Sequence, residues 1–234
     1  GTLGVGSASI DTARTQIDQC AGIPFGVNLF CPQQPLSRAH LAAARDLAQA
    51  ENQPLPDPDY SFGFEEKLEL ALRGGARVVW SMFGTFTPEQ IERIHAAGAE
   101  AWTTVTTTAE ATVAAGRGVD VLCVQGPAAG GHRGTWDLAA TPDSRDLEEL
   151  VSDVHAAAPD LPLIAAGGLR TADDIATAMS WDGVGDEIEP GVAAATLRGR
   201  SSAVWALSWS LAPEATSSPV RSWILAIRNR TVFS

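Results

Sequence analysis

Short apolar runs alternate with amphipathic stretches along most of the chain. The apolar runs have the length of strands and cover residues 2–5, 25–30, 77–83, 101–105, 119–125 and 161–166. The stretches between them predict helices over 9–20, 37–50, 63–73, 87–98, 108–115, 145–157 and 171–180. The strands are apolar throughout, which is typical of a parallel sheet that is covered on both faces. This regular order of strand and helix predicts a parallel α/β fold.

Capping residues mark the start of two of these helices. Thr87 can cap a helix in which Pro88 takes the first position and Gln90 the third. Thr171 and Asp174 have the same spacing as Thr87 and Gln90. We therefore expect helices to begin directly after Thr87 and after Thr171.

The number of strands indicates how far the sheet can close. A (β/α)8 barrel needs eight strands and typically about 250 residues, and this chain has 234 residues. The apolar run 203–208 adds a seventh strand to the six above. We expect a TIM barrel that lacks its first strand–helix unit, folded as a single domain over residues 1–234.

Composition and charge exclude several classes of function. The net charge of −12 argues against a nucleic-acid partner, and no apolar run reaches the roughly 18 residues that a membrane helix needs. The three cysteines lack metal-binding spacing, which favours a reducing compartment and a cytoplasmic protein. The acidic residues between Asp182 and Glu189 lack the spacing of a calcium loop, so no metal site is predicted.

Residues 121–134 carry the most informative pattern. An apolar run ends at Gln125, and the loop that follows holds four glycines, one proline, His132 and Arg133. Glycines allow backbone N–H groups to approach a ligand closely, and histidine exchanges protons near neutral pH. Loops at the carboxyl end of barrel strands are where TIM-barrel enzymes place their chemistry. His132 is therefore the candidate catalytic residue, whereas Arg133 is more typical of a structural role.

Four segments together resemble one known family. They are PFGVNLF at 24–30, VWSMFG at 79–84, QGPAAGGHRG at 125–134 and IAAGG at 164–168. In this order and spacing they are similar to the nitronate monooxygenases, FMN-dependent (β/α)8 barrels formerly called 2-nitropropane dioxygenases. The resemblance covers residues 1–180. Residues 181–202 look like an insertion or disruption, and residues 203–234 contain a weak eighth strand and the C-terminal part.

The resemblance implies roles for the matched residues. His132 matches the catalytic histidine, which acts as a base or positions the substrate. Gly167 and Gly168 match backbone donors to the FMN phosphate, and Ser208 stands where the family has threonine in strand 8. The complete set of implied cofactor-binding residues is Asn28, Gln125, Gly130, Gly131, Gly167, Gly168 and Ser208.

The resemblance also implies a reaction, and two alternatives stay open. The implied activity is oxidation of alkyl nitronates with molecular oxygen, with FMN as cofactor and a small nitronate as substrate. The first alternative is a related FMN barrel that reduces quinones or enoyl thioesters with NAD(P)H, because such enzymes share the glycine–histidine loop. The second is an inactive fragment, because an Ala-Pro-Met-type first strand is absent and residues 181–202 are atypical. A homo-oligomer is a further open possibility.

Overall fold

The computed structural model describes residues 1–52, 58–137 and 139–184. All six strands and seven helices predicted up to residue 180 are present in this part of the chain, with bounds shifted by a few residues. In chain order they are β1 (Thr2–Gly4), α1 (Ile10–Asp18), β2 (Gly26–Phe30), α2 (Arg38–Ala50), α3 (Phe64–Arg73), β3 (Val78–Met82), α4 (Pro88–Ala96), β4 (Glu100–Val105), α5 (Thr108–Arg117), β5 (Val121–Gln125), α6 (Leu147–Ala157), β6 (Leu163–Ala166) and α7 (Ala172–Ala178).

The six strands form one parallel sheet in the order β1-β2-β3-β4-β5-β6. Each strand pairs with the next one in the chain, so the sheet is a parallel α/β half-barrel, consistent with part of a TIM barrel. Beyond β6, Val184 makes a parallel bridge to Leu163, at the place where a further strand would begin. The seventh strand predicted at 203–208 lies outside the described residues, and the absence of a first strand–helix unit stays a prediction.

The two faces of the sheet have separate cores. Alternate residues of a strand point to opposite faces, so Leu122 packs in the larger core while its neighbour Cys123 faces the other side. The larger core contains Val27, Leu29, Val79, Val105 and Leu163 and includes buried residues of the helices. The smaller core, on the inner face, consists of Val78, Trp80, Trp102, Val121, Cys123, Ile164 and Ala166.

Both predicted helix starts are confirmed as capping boxes. In α4, the Gln90 backbone N–H donates to Thr87 Oγ1 at 3.3 Å, and the Thr87 N–H donates to Gln90 Oε1 at 2.8 Å. In α7, Thr171 and Asp174 make the equivalent pair at 3.1 and 2.8 Å. These bonds satisfy N–H groups that the helix itself cannot pair. Within the described residues, no helix combines the length and apolarity needed to cross a membrane.

Candidate functional site

Asn28 lies on the inner face of the sheet, in the middle of β2. It pairs in register with Trp80, which belongs to the inner core. Its side chain is half-buried, and its Nδ2 donates to the Trp80 carbonyl at 3.5 Å, a long hydrogen bond. Within the described residues Oδ1 accepts no hydrogen bond. The Asn28 amide therefore retains hydrogen-bonding capacity for a ligand.

Gln125, the last residue of β5, holds three consecutive residues of the following loop. Its Nε2 donates to the His132 carbonyl at 3.1 Å, and its Oε1 accepts from the Gly134 N–H at 2.7 Å. Its own carbonyl accepts from Arg133 Nη1 at 2.8 Å. Since a primary amide has two N–H bonds and its oxygen two lone pairs, one of each remains for a ligand. In the structure, the Gln125 amide joins the end of β5 to the loop that follows it.

His132 is exposed at the same edge of the sheet. Within the described residues, neither ring nitrogen has a hydrogen-bond partner. The imidazole instead lies edge-on against Phe30 at 6.0 Å and Phe83 at 5.9 Å between ring centroids. Both nitrogens are therefore available to a substrate, and the ring orientation depends on aromatic contacts.

Phe30, Phe62 and Phe83 form an aromatic cluster beside His132. The centroid of Phe30 lies 5.7 Å from that of Phe62 and 4.8 Å from that of Phe83. Phe62 and Phe83 have φ angles of 52° and 64°, in the left-handed region that non-glycine residues rarely adopt. Both rings are partly exposed. The cluster thus presents an apolar surface next to the candidate base, held in a strained backbone conformation.

A glycine and the single lysine of the chain support this cluster. A Cβ atom at Gly6 would lie 2.2 Å from Phe30 Cδ1, so only glycine leaves room for the ring. The Gly6 carbonyl accepts a hydrogen bond from Lys67 Nζ at 2.8 Å. Lys67 is only 3% exposed, and this burial lowers the pKa of its ammonium group, an effect that Asp59 opposes. Lys67 therefore fixes the backbone on which Phe30 rests.

Gln33 joins the segments that carry the aromatic residues. Its Nε2 donates to the Phe83 carbonyl at 2.8 Å and to the Cys31 carbonyl at 3.2 Å. Its backbone N–H donates to the Tyr60 carbonyl at 2.8 Å, close to Phe62. Burial raises the pKa of the neighbouring Cys31 thiol to about 12, although Ser81 and Arg117 lower it, so this cysteine is not a nucleophile at neutral pH.

Sequence reasoning missed the aromatic cluster and Gln33. Phe30 and Phe83 lie inside the segments 24–30 and 79–84, where no role was predicted for them. Phe62 and Gln33 lie in none of the four segments. A signal for the cluster was nevertheless present, because Phe83 directly precedes a glycine at the end of an apolar run.

Gly167 and Gly168 follow β6 and face the loop after β5. Their φ angles are 100° and 84°, which only glycine adopts without strain. A Cβ atom at Gly167 would lie 3.1 Å from both the Ala129 nitrogen and the Gly126 oxygen. Within the described residues, the N–H groups of Gly167 and Gly168 donate to no acceptor. Two adjacent free N–H groups of this kind suit an anion such as a phosphate.

These features fit an FMN cofactor. The two free N–H groups suit its phosphate, and the free Asn28 amide suits the polar edge of a flavin ring. Gly130 and Gly131 lie exposed in the loop after β5, and Ser208 lies outside the described residues. In the part of the chain that the structure describes, no three His, Cys, Asp or Glu side chains gather as a possible metal site.

Comparison with known proteins identifies similar sequences. A family model described as nitronate monooxygenase matches residues 1–188. The nitronate monooxygenase of Paraburkholderia phytofirmans is 30% identical over 200 residues, which are 77% of this chain and 52% of that protein. A probable nitronate monooxygenase of Staphylococcus saprophyticus is 27% identical over 196 residues, covering 76% and 54% of the two chains. The chain thus spans about half the length of these relatives.

Solved structures agree with the sequence comparison. The nitroalkane oxidase from Streptomyces ansochromogenes superposes with a TM-score of 0.65 and 32% identity, over 76% of this chain and 53% of that one. FabK from Thermotoga maritima superposes with a TM-score of 0.51 and 20% identity, over 75% of this chain and 45% of that one. The second likeness concerns the fold alone.

Proposed function

This chain belongs to the nitronate monooxygenase family, and on that premise we propose that it carries the site for oxidation of alkyl nitronates with molecular oxygen, with FMN as cofactor. The observation that supports this function best is the placement of His132. Its ring is exposed, and its nitrogens have no hydrogen-bond partner within the described residues. It lies at the carboxyl ends of the strands, where the glycine-containing loops after β5 and β6 meet. The named relatives are oxidoreductases, which agrees with a redox reaction at this edge.

The cofactor would be held mainly by backbone groups. In the proposal, the Gly167 and Gly168 N–H groups bind the FMN phosphate, Asn28 binds the flavin ring, and Gly130 and Gly131 allow close approach of the loop. Gln125 has one amide hydrogen left for a weaker contact. Ser208, the remaining residue that the resemblance matched to the phosphate, lies outside the described residues. The chemistry that FMN supplies when bound is acceptance of electrons from the nitronate and their delivery to oxygen.

His132 would act on the substrate. As a neutral imidazole it can remove the α-proton of a neutral nitroalkane, which yields the nitronate, and as an imidazolium it can donate a hydrogen bond to the oxygens of the nitro or nitronate group. The aromatic cluster lies on the same side of the ring, where it can contact the alkyl part of the substrate. Arg133 is not proposed to contact the substrate, because its guanidinium donates to backbone carbonyls.

The test begins with cofactor retention. The full chain is incubated with FMN and desalted, and its visible spectrum is recorded. Oxygen consumption with neutral nitroethane, and with the nitronates of nitroethane and 2-nitropropane, is then measured for the wild type and for His132→Asn. We expect the variant to retain flavin and to lose about 100-fold or more in turnover of neutral nitroethane, the range expected for removal of a general base. The loss with the nitronates should be smaller, because a nitronate has already lost that proton.

Each other outcome has a defined meaning. A flavin that NAD(P)H bleaches under anaerobic conditions, without nitronate turnover, would replace the proposal with a reductase. A chain that retains no flavin would support the inactive fragment. Equal turnover of neutral nitroethane and of the nitronates by the wild type and His132→Asn would remove His132 from the reaction while leaving the oxidase assignment intact.

A further inference from the structure

Arg133 makes an unusual pair of contacts directly behind His132. Its Nη1 donates to the Gln125 carbonyl at 2.8 Å, and its Nη2 donates to the Asp143 carbonyl at 3.2 Å. Gln125 ends β5, and Asp143 lies just before α6. One guanidinium therefore bridges the two ends of the loop that contains His132.

The contacts of Arg133 distinguish it from a surface arginine. It is half-buried, and its Nε is fully buried with no hydrogen-bond partner within the described residues. It forms no ion pair in the part of the chain that the structure describes; the acids that influence it, Asp143 and Glu110, act at longer range. Burial lowers the pKa of Arg133, but a guanidinium stays charged at neutral pH. A half-buried guanidinium that donates only to backbone carbonyls serves to fix the backbone.

Both acceptors of Arg133 are themselves held in place. Gln125 lies in the sheet and also bonds to His132 and Gly134. The Asp143 carboxylate accepts from Arg145 Nε at 3.0 and 3.1 Å, and Arg145 also pairs with Asp153 of α6. The bridge therefore runs between two rigid points, and a shorter or more mobile side chain could not span them.

A second anchor holds the far side of the loop. The Trp136 backbone N–H donates to Glu110 Oε1 at 2.9 Å, and Trp136 Nε1 donates to the Thr104 carbonyl at 3.0 Å. Glu110 Oε2 also accepts from the Thr106 N–H. Gln125 and Trp136 therefore hold the loop on either side of Arg133. Arg133 is the remaining side chain that ties the His132 segment to the start of α6.

We propose that Arg133 is a positioning residue that fixes His132 by bridging the Gln125 and Asp143 carbonyls. Its planar guanidinium supplies two N–H donors in a fixed geometry, which an ammonium group cannot reproduce. In terms of catalysis this inference rests on the proposed function. As a statement about the loop it does not, because the position and mobility of His132 can be measured without turnover.

The test compares Arg133→Ala and Arg133→Lys with Arg77→Ala. Arg77 is an exposed arginine that directly precedes β3. It lies at the amino ends of the strands, whereas His132 lies beyond their carboxyl ends. Amide hydrogen exchange is followed by mass spectrometry in peptides covering residues 126–143. Carbethoxylation of His132 by diethyl pyrocarbonate is followed in the same samples, with His40, His95 and His155 as internal references.

We expect amide exchange in the loop to be faster than in the wild type by about tenfold or more in both Arg133 variants. In Arg77→Ala the exchange rate of the loop should be the same as in the wild type. The His132 carbethoxylation rate should change while the other three histidines react as in the wild type. Addition of guanidinium chloride at millimolar concentration should restore the loop in Arg133→Ala, because the free ion can occupy the vacated space. Unchanged exchange and unchanged His132 reactivity in both variants would overturn the proposal.

Turnover tests the catalytic part of the proposal separately from hydrogen exchange. If the wild type oxidises nitronates, Arg133→Ala should lose about 100-fold in kcat per bound flavin with neutral nitroethane, since small misplacement of a catalytic group is costly. The KM should change less, and guanidinium should raise kcat again. A wild type without turnover would reject the proposed function, and the exchange data would still decide the role of Arg133. Should Arg133→Ala fail to fold, Arg133→Lys carries the same comparison.

Discussion

His132 and Phe83 illustrate how much of this site depends on individual side-chain contacts. The imidazole has no hydrogen-bonded partner within the described residues, so Phe30 and Phe83 limit its rotation. Phe83 in turn is held by Gln33 in a backbone conformation that costs an L-residue roughly 1–2 kcal/mol. The chain tolerates this strain at a position where an aromatic ring meets the candidate base, which is where strained residues tend to cluster.

A matched pair of variants separates the strain at Phe83 from its packing. Phe83→Gly and Phe83→Ala both remove the ring, but only alanine keeps the penalty of a φ angle of 64°. We expect the glycine variant to be more stable than the alanine variant by about 1 kcal/mol. Urea unfolding followed by circular dichroism measures the difference. If alanine proves equally stable or more so, Phe83 is not strained in the folded protein.

The elements differ in how strongly local sequence defines them. Helix α4 has a capping box, a proline at its first turn and an apolar face that buries Ile91 and Ile94. Helix α2 has no buried residue, and Leu47 on its surface is 65% exposed. Both helices were predicted from the sequence, but the structure shows that α4 belongs to the core and α2 does not.

The capping box of α4 should contribute measurably to stability. Thr87→Ala removes the acceptor for the Gln90 N–H, and we expect a loss of about 1 kcal/mol in the free energy of unfolding. Thr112→Ala is the control, because Thr112 is an exposed residue inside α5 whose hydroxyl bonds only to the Thr108 carbonyl. That variant should change stability by less than about 0.5 kcal/mol. Equal effects in the two variants would show that the cap is not formed.

For the molecule as a whole, acidic side chains dominate the charge, and several are stabilised in their ionised form. Hydrogen bonds from Arg145 lower the pKa of Asp143 despite the opposing effect of burial. The backbone N–H groups of Arg170 and Thr171 lower the pKa of Asp174. Since both carboxyls have lower pKa values in the folded than in the unfolded chain, each favours folding once the unfolded chain is also ionised.

The free energy of unfolding should therefore decrease as the pH falls. The contribution of Asp143 and Asp174 is fully present above their unfolded pKa of about 3.9 and is lost as the pH falls through their lower folded pKa values. Urea unfolding at several values between pH 7 and pH 3 should show decreasing stability below about pH 4.5. Asp143→Asn should flatten this dependence. A variant with the same pH dependence as the wild type would contradict the assignment of Asp143.

The order of elements, the two helix caps and the glycine positions were predictable because each depends on residues close together in the chain. Apolar periodicity records which face of an element is buried, and a cap lies within four residues of the helix that it starts. The positions of Gly167 and Gly168 were likewise visible as a strand end followed by residues that tolerate positive φ. The family resemblance rests on the same local segments.

The arrangement around His132 required the folded chain, because its contacts join residues that are distant in sequence. Phe30, Phe62 and Phe83 come from three separate segments, and they meet only because β2 and β3 pair in parallel and α3 returns the chain between them. The flavin contact of Gln125 stays a prediction, and only the folded chain shows that its amide also binds the loop backbone, since buried polar groups must be paired wherever packing places them. Local patterns set which residues can form strands, caps and turns, while packing and hydrogen-bond satisfaction across the sheet set which of them share a site.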